Sequence, residues 1–163
     1  MHKMRRMDKA ITDVNAIKAI IREAKFITIA ISVSDEPYLS TLSHGFDEEK
    51  NCIYFHCASE GRKVEMLKAN GRVWGQALID GGYQQGCCDH FYRTAQFHGI
   101  VSFVDDALEK RHALEVLIKH LDDNPEAVIS KQITPHSLNR VLIGRIDIDF
   151  LSGKKADKVN IQL

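Results

Sequence analysis

The sequence predicts a mainly β protein, a closed or nearly closed barrel of about six antiparallel strands with helices packed outside it. Three features predict it. Runs rich in β-branched and aromatic residues recur from Phe26 onward, the first three are joined by short polar turns, and helical spacing is confined to a few segments between strands. No internal repeat, low-complexity stretch or linker interrupts the chain. Residues 1–163 therefore read as one domain, long enough to build a core without disulfide staples.

Thr12 is placed to cap a first helix, in which Val14, Ile17, Ile20, Ile21 and Ala24 fall at helical spacing. Phe26 to Val33 reads as a strand. Ser34-Asp35-Glu36-Pro37 reads as a turn, because Pro fixes φ and Ser and Asp favour local side-chain bonds. Tyr38 to Phe46 is the second strand, Asp47 to Asn51 another polar turn, and Cys52 to Cys57 the third strand. A short helix over Val64 to Ala69 stops at Asn70-Gly71. Val73 to Ile79 looks like a fourth strand, and Gly81 to Gly86, with three glycines, like a loop. Phe91 to Val104 reads as a long strand bent near Gly99. Asp106 and Glu109 stand at capping-box spacing before a helix in which Leu114, Leu117, Ile118 and Leu121 follow on one face, and Pro125 is expected to end that region. Val141 to Phe150 alternates apolar Leu142, Ile146, Ile148 and Phe150 with Arg145, Asp147 and Asp149, the mark of a half-buried strand.

Charge and cysteine content narrow the function. Lys plus Arg and Asp plus Glu are both 22, which argues against a nucleic-acid binder driven by phosphate neutralisation. Any basic site must be local. The N-terminus Met1-His2-Lys3-Met4-Arg5-Arg6 leads into no apolar segment, and no run approaches the ~20 residues of a membrane span. Cys52, Cys57, Cys87 and Cys88 then read as free thiols in a cytoplasmic protein. No Gly-x-Ser-x-Gly elbow, Walker loop or Gly-x-Gly-x-x-Gly fingerprint occurs, so nothing suggests covalent hydrolysis or a dedicated dinucleotide domain.

The most informative stretch is Tyr54-Phe55-His56-Cys57-Ala58-Ser59-Glu60-Gly61-Arg62-Lys63. It leaves a strand, turns at a glycine and enters a helix carrying two adjacent cations. Free N–H groups at a helix start favour a phosphate, Arg62 can grip its oxygens with a planar fork, Lys63 adds a point charge and Ser59 a hydroxyl. The same pattern also describes a solvated Arg-Lys pair, and the residues alone do not choose.

This stretch, with "EPYLSTLSHGFD", "HFYRTAQFHGIVSFVDDALEKRHALEVLIKH", "IDIDFLSGKKAD" and the opening "MRRMDKAITD", resembles the pyridoxamine 5′-phosphate oxidase-like flavoproteins, in particular the branch of nitroimidazole-resistance reductases. The segments cover nearly the whole chain in the family's order. The resemblance implies an FMN-binding split β-barrel and a homodimer with one FMN in each of two interface grooves. It assigns Ser59, Arg62 and Lys63 to the FMN phosphate. Tyr38, Leu39, Ser40 and Thr41 match the strand beside the isoalloxazine ring, and His56, Cys57 and Ala58 the approach to the phosphate loop. The chain departs from the branch at Thr41, where many relatives carry proline. His44 matches a histidine that some relatives place near the flavin, where it would donate a hydrogen bond, relay a proton or ligate a haem iron; alternatively it only packs.

The activity that follows is FMN-dependent electron transfer from NAD(P)H, docked transiently over the flavin, to a small acceptor such as a nitroaromatic or quinone. Pyridoxamine phosphate oxidation fits less well, because a second basic set for the substrate phosphate is missing. The alternative is a haem- or flavin-binding protein without turnover, and a deazaflavin is a third possibility. Cys87, Cys88, His90 and His98 lack paired zinc-ligand spacing, so no metal is expected. Tyr92 and Arg93 match a pair in the branch, where Arg93 serves the dimer, the cofactor or a surface salt bridge. Trp74 reads as a core or interface anchor, and Gly153-Lys154-Lys155 as a frayed tail or added charge for the phosphate groove.

Overall fold

Alternation of burial along Phe26–Val33 (β2) sets the architecture, with Ile27, Ile29 and Ile31 facing inward and Thr28, Ala30 and Ser32 outward. The structure, a computed structural model, describes residues 4–157; the outermost residues of the expected domain, including Met1 to Lys3, lie outside it. The other strands are β1 (Ala10–Ile11), β3 (Glu36–Ser43), β4 (Gly45–Asp47), β5 (Cys52–Cys57), β6 (Arg72–Gln84), β7 (Asp89–Val104) and β8 (Leu142–Ala156). They form one antiparallel sheet in the order β3-β2-β6-β7-β8-β5-β4, with β1 paired to β8. The helices are α1 (Val14–Glu23), α2 (Arg62–Ala69), α3 (Ala107–Leu121), α4 (Pro125–Gln132) and α5 (Pro135–Arg140). Among the described residues, no helix is long and apolar enough to cross a membrane.

β3 and β4 stand at opposite ends of the sheet order, yet only His44 separates them in the chain. One residue spans little more than 3 Å. The sheet must therefore curl until its two edges meet, giving a barrel open along one seam. Gly45 begins β4 because α3 lies directly on it, and a Cβ there would sit 2.8 Å from the Leu117 backbone nitrogen.

The barrel interior is built from Ile27, Ile29, Ile31, Ile53, Phe55, Phe97 and Ile146, plugged by Ile17, Ile20 and Ile21 of α1. Each buried aliphatic side chain of this size contributes roughly 1.5–3 kcal/mol relative to exposure. A second, smaller core beneath α3 contains Cys52, Tyr54, Ala113, Leu117 and Ile143. There the Tyr54 hydroxyl donates to Glu109 at 3.0 Å, and Arg145 donates to the same carboxylate oxygen at 2.8 Å. This pins α3 across β5 and β8.

Several expectations change. Asp13, not Thr12, caps α1, accepting from Asn15 N–H at 2.9 Å. The first turn is shorter than expected. Ser34 and Asp35 both have positive φ (51° and 65°), as the two central residues of a tight hairpin, and Pro37 pairs with Ser32 inside β3. Proline is tolerated there because β3 is the sheet edge. The expected second strand breaks at His44. Gly81 to Gln84 are strand rather than loop, with a register shift between Asp80 and Gly82 where Gly82 takes φ +85°. Pro125 starts a helix instead of ending one. The Gly153-Lys154-Lys155 tail is paired strand, held between β1 and β7. The expected bend at Gly99 is present, as a register shift between His98 and Gly99. About six strands become eight because β1 and β4 are too short to leave a pattern.

Candidate functional site

β5 is buried from Cys52 through Phe55 and then surfaces, leaving His56 exposed and Cys57 half-buried. Ala58, Ser59 and Glu60 are exposed, and Gly61 takes φ +118° and ψ 168°, a conformation essentially reserved for glycine. The chain then enters α2, held down by Val64, Met66 and Leu67. Gly61 brings no side chain to cap α2, and among the described residues no side-chain cap satisfies the leading N–H groups of the helix. Nothing lies within 4 Å of a Cβ built on Gly61, so the space beside the glycine itself is open.

The two loop cations fold back towards the sheet edge. Arg62 donates to the Glu36 carboxylate, and its guanidinium lies 5.0 Å from the centroid of the Tyr38 ring. Lys63 Nζ lies 6.0 Å from the Phe55 ring centroid. Arg62 thus ties the loop to β3 across the barrel seam. Side chains of Arg62 and Glu36 are 55% and 68% exposed, so the ion pair is worth little, about 0–1 kcal/mol, and a dianionic ligand can displace it. Burial pushes the Cys57 thiol above its ordinary pKa, and the Lys63 ammonium partly offsets that rise.

The four residues assigned to the ring strand divide between two faces. Tyr38 and Ser40 share the inward phase with buried Leu42, whereas Leu39 and Thr41 face outward. On the outer face Leu39 pairs with Ala30, Ala30 with Trp74, Trp74 with His98, and His98 with Phe150. The neighbouring row runs Thr41, Thr28, Gln76, Gln96, Ser152. Thr28, Ala30, Leu39, Trp74, Gln76 and Gln96 line a groove of about 500 Å³. A second groove of about 860 Å³, sharing Trp74 and Gln96, continues under the N-terminal segment to Phe150 and Lys154. Tyr38 under Arg62 and Leu39 in the groove are neighbours on the edge strand β3, facing opposite sides of it.

His44 is placed elsewhere. It is fully buried, with Nε2 3.0 Å from the Ile21 carbonyl oxygen and its ring centroid 4.5 Å from that of His120. Its Nδ1 has no partner among the described residues, and it lines neither groove of the outer sheet face. Burial, helped by the neighbouring His120, lowers its pKa to about 4. Arg93 pairs with Glu23 at 2.8 Å, and Lys154 Nζ lies 6.0 Å from the Tyr92 ring centroid. His90 pairs with Asp80 and His98 with Asp149; among the described residues no three His, Cys, Asp or Glu side chains converge as a metal site.

The model of the pyridoxamine 5′-phosphate oxidase family matches residues 13–155. The chain belongs to that family. A candidate 5-nitroimidazole antibiotic resistance protein from Bacteroides thetaiotaomicron is 26% identical, covers 90% of this chain and 86% of its own, and superposes with a TM-score of 0.76. The flavocytochrome Anf3 from Azotobacter vinelandii is 15% identical over 99% of this chain and 76% of its own, with a TM-score of 0.83. An FAD-binding protein from Mesorhizobium loti is 20% identical over 91% and 98%, with a TM-score of 0.67. The last two likenesses establish the fold alone. None of the curated proteins matches the sequence. The fold is thus the split barrel of the pyridoxamine 5′-phosphate oxidase family.

Sequence reasoning missed Glu36, the intrachain partner of Arg62, and the outer-face row around Trp74. Trp74 did carry a signal. It lies out of phase with buried Val73 and Ala77, so a large aromatic side chain is placed on the solvent side of a strand.

Proposed function

We propose that this chain is an FMN-dependent oxidoreductase that passes electrons from NAD(P)H to a small acceptor such as a nitroaromatic or quinone. The observation that supports it best is the uncapped, open start of α2 beside Ser59, Arg62 and Lys63. That donor set fits a phosphate: backbone N–H groups, one hydroxyl, one planar fork and one point charge. Bound flavin would supply the two-electron chemistry. The chain's own residues then hold and orient. Arg62 exchanges Glu36 for the phosphate, and Lys63 brings its ammonium from beside Phe55 to the same group. Leu39 and Trp74 offer apolar walls, while Thr28, Gln76 and Gln96 offer polar groups for the edge of a flat ring.

The working unit is a homodimer. Leu39 (68% exposed), Trp74 (44%), Leu78 (51%) and Ile100 (49%) leave the outer sheet face apolar, as an interface between copies requires. A second copy on that face would roof both grooves. All four cysteines are free, which suits the cytoplasm.

The test is an absorbance spectrum of the purified chain after loading with FMN, followed by NADH or NADPH without oxygen. Flavin bands that bleach with nicotinamide and return on adding a nitroaromatic or quinone support the proposal. A chain that takes up no FMN, or holds FMN that neither nucleotide reduces, contradicts it.

A further inference from the structure

The hairpin joining β6 to β7 outruns the barrel. Among the described residues β8 pairs with β7 as far as Tyr92, and Asp80 to Gln84 and Asp89 to Phe91 pair only with each other. None of residues 78–93 is buried. The result is a two-stranded arm whose tip is the turn at residues 85–88, ending in Cys87 and Cys88. Both are free thiols, Cys87 half-buried and Cys88 exposed.

Neighbouring residues on a strand send their side chains to opposite faces. The tip is a turn rather than strand, with Cys88 at φ +49° and Gly86 at φ +77°, so strand alternation does not govern it. A left-handed cysteine is uncommon, since the conformation favours glycine. The other two cysteines cannot cooperate in this way. Cys52 and Cys57 sit at opposite ends of β5 and pack against different core clusters.

We infer that Cys87 and Cys88 form a two-thiol site at the arm tip that chelates trivalent arsenicals. Ring size favours this ligand over a direct disulfide. Neighbouring Cα atoms are about 3.8 Å apart across a trans peptide. An unstrained disulfide wants roughly 4.4–6.8 Å. An inserted arsenic atom enlarges the ring and relieves that misfit. With an organoarsenic oxide, two S–H bonds and the As=O bond are replaced by two As–S bonds and one water. No oxidation state changes, so no separate oxidant is needed. The site is independent of the flavin loop.

Phenylarsine oxide is the probe, added to the reduced full-length protein, with accessible thiols then titrated under native conditions. The parent is expected to bind one equivalent and to lose two reactive thiols together. Excess 2-mercaptoethanol should leave the adduct intact, and 2,3-dimercaptopropanol should strip it. Cys87→Ser and Cys88→Ser should each weaken uptake on the order of 100-fold, because the second thiol no longer binds intramolecularly. Both positions carry no core packing, and Cys57→Ser should bind as the parent does. Unchanged uptake in either tip variant, loss in Cys57→Ser, or an adduct that 2-mercaptoethanol removes overturns the inference.

Discussion

His44 carries the clearest residue-scale consequence. Its folded pKa is depressed to about 4 by burial, and His120 beside it is lowered too, again by burial first. In the unfolded chain an imidazole titrates near 6.5. The unfolded state therefore binds more protons between those values, and stability rises with pH across that window. This contribution is fully present above about pH 6.5 and is lost as pH falls to about 4, amounting to about 3 kcal/mol from His44 alone. Urea unfolding of His44→Gln across pH 4–7 should show a flatter slope than the parent, and identical slopes would refute the assignment. Gly61 gives a second test. At φ +118°, Gly61→Ala should cost about 1–3 kcal/mol or shift the loop, read by thermal unfolding and FMN titration together. A variant matching the parent in both contradicts the strained-loop account. The glycine turn into a cationic helix start at residues 59–63 was legible in the sequence because it is a local pattern. Glu36 was not, since its contact with Arg62 crosses 26 positions of chain.

At the scale of elements, the packing of α3 on β4 is the feature most open to disruption. A methyl group on Gly45 would press on the helix backbone at Leu117, which cannot rotate away. Gly45→Ala should therefore destabilise by about 1–3 kcal/mol and loosen α3 first. Hydrogen exchange in residues 107–121 would report it, and unchanged protection there would count against this packing. Strands β2 and β7 were readable because periodicity of two survives in their long runs, and β5 because it is a short, nearly continuous apolar run between polar turns. Helices α4 and α5 were not, because they bury no residue of their own and leave no apolar stripe. The break at His44 was invisible for a related reason. Tyr38 to Phe46 keeps strand-like composition while the chain passes from one sheet edge to the other.

For the whole molecule, closure rests on the strand that the proposed dimer would also use. β3 forms one wall of the seam, and its outward residues join the apolar outer face. Trp74→Asp should convert dimer to monomer in sedimentation without unfolding the barrel, since Trp74 is 44% exposed. A dimer that survives places the interface elsewhere. The fold class was legible because turns and strand runs are local, but the strand order was not, since it depends on edges meeting in space. Flavin binding is proposed to rest above all on the grip of the 59–63 loop on the phosphate. Its most direct test compares FMN with riboflavin, which lacks the phosphate, by fluorescence titration of the parent and Arg62→Ala/Lys63→Ala. Two charge-assisted contacts at about 1.5–3 kcal/mol each predict that the parent prefers FMN by two orders of magnitude or more, and that the double variant loses the preference. A parent that binds both equally, or a folded double variant that keeps the preference, contradicts the claim.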